Sequence, residues 1–269
     1  MIRAIPITAE GRLDLDRLDQ VLSRRTRIVA VTHVSNVTGA VSDIGRIVEA
    51  ARAVGARVVV DGAQRVPHGP LDLEALGCDA YALSGHKLFA ATGAGALWIR
   101  RELAEALPPF LGGGEMIRRV SFAGTSFAAP PHRFEAGTPP IGPAIALGAA
   151  AAWLAGLDWP ALAEAEAALT ARLLAGLAGI RGVRVVGPTG TRGRLGVVSF
   201  AVDGVHPHDL CQLLDSRGLC LRGGHHCAQP LHEALGLEAT ARASLALYND
   251  TADVDALLEG LEWAIRRLA

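Results

Sequence analysis

Residues 57–64, RVVVDGAQ, set three consecutive valines between an arginine and an Asp-Gly turn. So short an unbroken apolar run reads as a strand buried on both faces, and such strands belong to parallel sheets covered by helices on either side. The flanking segments agree. Residues 27–34, RIVAVTHV, read as another strand, and SDIGRIVEAARAVGA (42–56) reads as the helix between them. Ser42 or Asp43 would cap that helix, Ile44, Ile47, Val48 and Val54 would form its apolar side, and Gly55 would stop it. Upstream, LDLDRLDQVL places Leu15, Leu18, Val21 and Leu22 on one helical stripe. DAYALSGHK (79–87) and GALWIR (95–100) supply two further strands. Strand–helix–strand alternation at this spacing predicts an α/β domain.

After about residue 140 the texture changes. Ala/Leu-rich helices run to about 178. Short strand-like runs follow, VRVVG, RLGVVSFAV, GLCLRGG and RASLALYN, with a helix over 207–216 among them. The final helix carries Val254, Leu257, Leu258, Leu261, Ile265 and Leu268 on one stripe. This order predicts a small α+β domain with helices on one side of its sheet, and a division into residues 1–145 and 146–269. The segment IGPAIALGAAAAWLAGL (141–157) is free of charge for 17 residues. It is short for a membrane span, and Ala and Gly supply little transfer energy, so the expectation is a buried helix.

Bulk properties narrow the function classes. A formal net charge of −1 over 269 residues offers no electrostatic basis for binding nucleic acid or an anionic membrane. The four cysteines, Cys78, Cys211, Cys220 and Cys227, form no C-x-x-C pair, and no signal peptide opens the chain. Free thiols in a reducing cytoplasm are expected.

Against 25 arginines the chain has one lysine, Lys87. Arginine keeps its proton in a protein; lysine can release it, and the neutral amine is what Schiff-base chemistry with a carbonyl needs. A solitary lysine among 26 basic residues can be an accident of codon usage. Its position argues otherwise, because it follows an apolar strand and precedes a glycine-rich turn, where open α/β sheets hold ligands. Asp61 also ends a strand of buried type, where a carboxylate is costly without a positive partner. Alone it would read as a cap or turn residue. Paired with Lys87, it matches pyridoxal 5'-phosphate (PLP), which takes one lysine for its aldehyde and one acid for its pyridinium nitrogen. Ser84, His86 and the backbone at Gly85 can donate to a phosphate.

The third feature is LCLRGGHHCAQP (219–230), a loop in which neighbouring imidazoles and free amides would favour the thiolate of Cys227. Its rivals are an ordinary loop cysteine and a metal site of His225, His226, Cys227 and His232, although adjacent residues seldom converge on one ion; no metal is expected. Arg242 opens an apolar strand and reads either as a carboxylate clamp or as a solvated surface residue.

Six segments, THVSNVTG, VVVDGAQ, SGHK, RFEAGTP, RGGHHCAQP and RASLALYN, occur in an order that resembles the SufS-like, group II cysteine desulfurases of the class V aminotransferase superfamily. The resemblance runs over essentially the whole chain. SGHK with DGAQ points only to the superfamily; R-x-G-x-H-C-A, ending at Cys227 and Ala228, points to the desulfurase branch. The fold implied is the PLP-dependent transferase fold type I, as a partial large α/β domain and a small C-terminal α+β domain. Carried over by motif, Lys87 resembles the Schiff-base lysine and Asp61 the pyridinium partner. Gln64 would bond the cofactor's phenolic oxygen, and Ser84 and His86 would hold its phosphate. Asn36 and Arg242 resemble the clamp for the substrate carboxylate, with Asn36 also at the cofactor, and Cys227 resembles the sulfur-accepting nucleophile. Thr138 resembles a residue reaching the phosphate of a neighbouring subunit, which implies a homodimer.

The resemblance implies conversion of L-cysteine to alanine with a persulfide on Cys227, passed to a SufE- or SufU-like acceptor for iron–sulfur cluster assembly. A selenocysteine lyase acting on L-selenocysteine, another class V lyase, or an inactive truncated relative serving only as a partner stays open. Two departures stand out. Gly223 occupies a place where threonine is expected, which predicts a looser loop. Family members are about half as long again, the additional part being N-terminal, with the first strands of the large domain, a phosphate-binding helix N-terminus and a ring stacked on the pyridine.

Overall fold

The structure is a computed structural model and describes residues 1–268. A 3-10 turn at Leu15–Arg17 leads into α1 (Leu18–Val21), so the stripe expected across residues 13–22 forms little more than two short turns, with Leu18 buried. β1 (Ile28–Thr32), α2 (Ile44–Ala53) and β2 (Arg57–Asp61) then make the expected strand–helix–strand unit. Asp43 caps α2 by accepting from the Arg46 N–H at 3.0 Å, and Ile44, Ile47, Val48 and Ala51 form its buried side. α3 (Leu73–Leu76), β3 (Ala80–Ser84), a 3-10 turn over Gly85–Leu88 and β4 (Gly95–Ile99) complete the first sheet, whose order is β1-β2-β3-β4. The first three strands are parallel and β4 is antiparallel to β3.

Coverage of this sheet departs from the sequence expectation. Val58 and Val60 are buried, packed with α2, Cys78 and Tyr81, but Val59 on the opposite face is only half-buried. Apolar composition predicts the need for cover; it does not say what supplies it. The helices of the described residues close one face of β2 more fully than the other.

α4 (Arg101–Ala106) follows, then an exposed hairpin of β5 (Ile117–Ser121) and β6 (Gly124–Phe127). α5 (Ile141–Ala155) corrects a second expectation. It is a helix, but of its residues only Leu154 is buried, while Ile141, Ile145 and Trp153 are exposed. No single helix among the described residues is long and apolar enough to cross a membrane. α6 (Trp159–Gly179) is capped by Asp158 and turns Leu169, Leu173, Leu174 and Leu177 into a second core.

That core belongs to β7 (Val183–Val186), β8 (Val197–Val202), α7 (Pro207–Asp215), β9 (Arg222–Gly224), α8 (Gln229–Ala234), β10 (Thr240–Ser244) and α9 (Thr251–Leu268). The strands form one antiparallel sheet in the order β7-β8-β10-β9. Phe200, Leu173, Leu177, Leu210, Leu214 and Leu261 are fully enclosed between it and its helices, as an α+β unit requires.

The two sheets are joined by the loop after β1. Ser199 Oγ donates to Val37 O at 2.7 Å, Leu195 N to Gly39 O at 3.0 Å and Val41 N to Gly193 O at 3.0 Å. The buried Arg194 guanidinium donates to Pro188 O and Val197 O inside this junction. Glu166 adds a second tie, accepting from Gly196 N at 2.7 Å and lying 2.9 Å from His68 Nδ1. Gly39 sits at φ +67°, where a Cβ would stand 2.4 Å from Val197 O and 2.9 Å from Leu195 O. Both conformation and space demand glycine there. Gly39→Ala is therefore expected to lower the unfolding free energy by about 2 kcal/mol or more, through left-handed strain and displaced backbone, as read by urea denaturation.

Candidate active site

The carboxyl ends of β2 and β3 place the first group of residues. Asp61 ends β2 and pairs in register with Ala82 of β3; β3 ends at Ser84, and the 3-10 turn behind it carries His86 and Lys87. Gly85 N donates to Ala94 O at 2.9 Å, and a Cβ on Gly85 would lie 2.8 Å from that oxygen, so the turn closes only with glycine. Lys87 is half-buried, as are Gln64 and Ser84, while His86 is exposed. Among the described residues no hydrogen bond or ion pair engages the Lys87 ammonium or the side chains of Gln64, Ser84 and His86. Asp61 corrects the expectation of a buried acid in need of a cation: it is exposed, and its Oδ1 accepts from Ala63 N at 2.9 Å. It stands at the strand end rather than within the sheet, so its carboxyl group is open to solvent.

Beneath this edge lies a pair that sequence reasoning missed. His33 Nδ1 is 2.9 Å from the Tyr81 hydroxyl, and both side chains are buried. Burial and the nearby Arg65 lower the His33 pKa to about 4, and burial raises that of Tyr81. The only signal available was a histidine directly after a strand, since Tyr81 is distant in sequence. Backbone bonds tie the pair to the strand ends: His33 N donates to Asp61 O, and Gly62 N to Ala82 O, both at 2.8 Å.

The second group comes from the small sheet. β9 and β10 pair so that Arg222 faces Arg242 directly. Like charges directly across a strand pair repel. Arg242 Nη1 donates to Asn36 O at 3.0 Å, its Nε is buried without a partner, and its pKa is lowered by burial and then by Arg222. Asn36 in turn donates from Nδ2 to His226 O. Arg222 Nη2 approaches Cys227 Sγ at 3.7 Å. Arg222 belongs to the RGGHHCAQP motif, but its spacing alone gave no reason to single it out. The pairing register does.

Cys227 is exposed on the expected loop. The expectation that imidazoles charge this loop is corrected. His226 is fully buried, and burial, with Arg242, His232 and Arg222 behind it, lowers its pKa to about 4. The cation at the thiol is Arg222. His226 and His232 instead direct their Nε2 atoms to Thr240 Oγ1, at 2.9 and 3.0 Å. No group of three or more His, Cys, Asp or Glu among the described residues is arranged to hold a metal ion. The looser loop expected from Gly223 is not what the structure has, because a Cβ there would lie 3.0 Å from Pro207 O and 3.3 Å from His208 N. α7 packs directly on that backbone. Thr138 is exposed in the loop before α5, and no hydrogen bond joins its side chain to either group.

Residues 1–257 match the family model described as aminotransferase class-V. The chain belongs to the class V aminotransferase family. Within that family it is similar to a probable cysteine desulfurase of Streptomyces coelicolor, 44% identical over 261 residues, which span 97% of this chain and 62% of the relative. Its fold superimposes on the Escherichia coli cysteine desulfurase CsdA, in an S-sulfonic acid form, with a TM-score of 0.93 and 39% identity over 98% of this chain and 65% of that one. It is also similar to a variant of C-DES with glycine covalently linked to its PLP cofactor, with a TM-score of 0.82, 26% identity, and 97% of this chain and 67% of that one covered. The chain spans less than two thirds of the length of the curated class V relatives it matches, 62% for the first four. The expected α/β plus α+β architecture is thus that of PLP-dependent fold type I.

The two buried histidines make stability pH-dependent. Each has a folded-state pKa of about 4 against an ordinary 6.5, so the unfolded chain takes up protons first as the pH falls. Stability is expected to be unaffected by them above about pH 6.5, to fall between about 6.5 and 4, and to lose nothing further to them below that. Urea midpoints measured across this window check it, and His33→Gln should give a shallower dependence.

Proposed function

We propose that the chain carries the active-site residues of a PLP-dependent, SufS-like cysteine desulfurase, which takes sulfur from L-cysteine, leaves alanine and holds the sulfur as a persulfide on Cys227. The observation that carries this reading is the guanidinium of Arg222 on the Cys227 sulfur, beside a buried, unpartnered Arg242 Nε. Two facing arginines and a thiol call for an anion with a sulfur atom, and free cysteine supplies a carboxylate and a thiol together.

The residues present fit PLP. Lys87 offers an amine without an internal partner, and Asp61 an acid on the neighbouring strand end, while Ser84 and His86 have free donors and Gln64 a free amide. When bound, PLP supplies an electron sink that weakens the substrate Cβ–S bond. Lys87 would hold the cofactor aldehyde, Asp61 its ring nitrogen, Gln64 its phenolic oxygen, and Ser84 and His86 its phosphate. Arg242 Nε would close on the substrate carboxylate, with Asn36 fixing the guanidinium from its other end. Arg222 lies on the Cys227 sulfur, where its guanidinium would meet the negative charge of an attacking thiolate. The thiolate then attacks the substrate sulfur: an S–S bond forms, the Cβ–S bond breaks, and its electron pair stays with the carbon, which takes up a proton from solvent and leaves as alanine.

The exposure of Cys227 supports onward transfer of this sulfur to a SufE- or SufU-like acceptor for iron–sulfur cluster assembly. Exposed Thr138 supports a homodimer in which it serves the partner's phosphate, and free cysteines support a cytoplasmic setting. We take residues 1–145 as the cofactor-binding part and 146–269 as the part carrying the nucleophile.

Purified protein given PLP should gain the visible absorption of a lysine-bound cofactor, and L-cysteine should then yield alanine and a persulfide located on Cys227 by mass spectrometry. Lys87→Ala should lose the absorption. Cys227→Ala should keep it and form no persulfide; release of alanine and sulfide at the wild-type rate by that variant would sink the assignment.

A further inference from the structure

His226 and Cys227 stand consecutively in the left-handed region, at φ +53° and +61°. Neither is glycine, and L residues are strained in that region, so something must hold the loop in this shape. What lies under it is a buried polar chain. His226 and His232 are 2% and 1% exposed and Thr240 is fully enclosed. Both Nε2 atoms meet the one Thr240 hydroxyl, at 2.9 and 3.0 Å, and His232 Nδ1 lies 3.1 Å from Ala228 O.

With neutral rings, the protons can be arranged in one way only. A carbonyl oxygen accepts, so His232 Nδ1 carries the hydrogen and its Nε2 is a bare acceptor. The single Thr240 proton goes to that Nε2. Thr240 Oγ1 is then left to accept, and His226 donates to it from Nε2–H. His226 Nδ1 must be bare, and Nδ1 is the His226 atom that lacks a hydrogen-bond partner. The chain therefore runs from His226, directly before Cys227, through Thr240 and His232 to Ala228, directly after it.

We propose that Thr240 is a positioning residue, its hydroxyl locking both neighbours of Cys227 through His226 and His232 so that the left-handed turn presents the sulfur to Arg222. Thr240 touches neither the thiol nor Arg222. It acts through the backbone that His226 and Ala228 share with Cys227, and His226 O is held from above by Asn36. The value of this lock for catalysis rests on the reading of Cys227 as the nucleophile.

The test uses two readouts that need neither cofactor nor turnover. Long-range 1H–15N NMR of the wild-type imidazoles should find His226 as the Nε2–H tautomer and His232 as the Nδ1–H tautomer; an Nε2–H His232 overturns the proposal without any variant having to fold. Alkylation of the Cys227 peptide by iodoacetamide, followed by mass spectrometry, should slow about tenfold in Thr240→Val, the order expected for loss of one charge-assisted contact, and recover to within about twofold in Thr240→Ser. Equal rates in wild type and Thr240→Val, or no recovery in Thr240→Ser, also overturn it. With PLP and L-cysteine, Thr240→Val should lower kcat with KM little changed. Because tautomer and alkylation are measured on the protein alone, a desulfurase reading that failed would leave them standing, and the reverse.

Discussion

Asn36 joins the two halves of the site, by main chain and side chain at once. Its carbonyl accepts from Arg242 of β10, and its amide donates to the carbonyl of His226, next to Cys227. Three residues earlier, His33 is bonded to the backbone of Asp61 at the end of β2. The strand end that presents an acid and the loop that presents a thiol are therefore fixed to each other through a few residues of one loop. The junction around Val37, Gly39 and Ser199 keeps that loop rigid against the small sheet. If this contact were lost, each half would keep its own core but not its distance from the other.

The same structure leaves large apolar surfaces open. A trough of about 930 Å³ runs along β1, lined by Ile2, Ile5, Val21, Leu22, Ile28 and Val31 among others. Ile28 and Leu97, on the two edge strands of the first sheet, are exposed, as are Ile145 and Trp153 on α5. Open strand edges with apolar neighbours pair readily with other chains. The curated relatives are longer than this chain by a margin sufficient for further strands, since it spans 62–66% of them. The core of the small α+β unit, by contrast, is enclosed by its own strands and helices.

Much of this was legible from local sequence. Periodicity located α2 and α9, an Asp cap began α2, and the valine run gave β2, because those signals are carried by neighbours in the chain. The motif loop containing Cys227 and the solitary Lys87 were equally visible. What could not be read was pairwise. Arg222 gains meaning only through its register with Arg242, and the His33–Tyr81 and His226–Thr240–His232 contacts link residues whose separation in sequence carries no pattern. The exposure of α5 and of Asp61 was misjudged for a related reason. Composition states what a segment would gain by burial, whereas burial itself depends on which other segments arrive.

The misjudged histidines matter most for chemistry. A loop with two imidazoles beside a cysteine suggests a thiolate held by imidazolium, and such support would titrate away through the neutral range. Here His226 is neutral down to about pH 4, with its ring committed to a hydroxyl inside the protein. The cation in contact with the thiol is the Arg222 guanidinium. Burial weakens Arg242 as a base, yet even a lowered guanidinium pKa leaves it cationic near neutrality. The buried histidines thus contribute shape to the loop rather than charge. That division of labour explains why one small loop tolerates His226 and Cys227 in left-handed backbone: the buried histidines hold the loop from a dry, hydrogen-bonded interior, and Arg222 meets the sulfur at the surface.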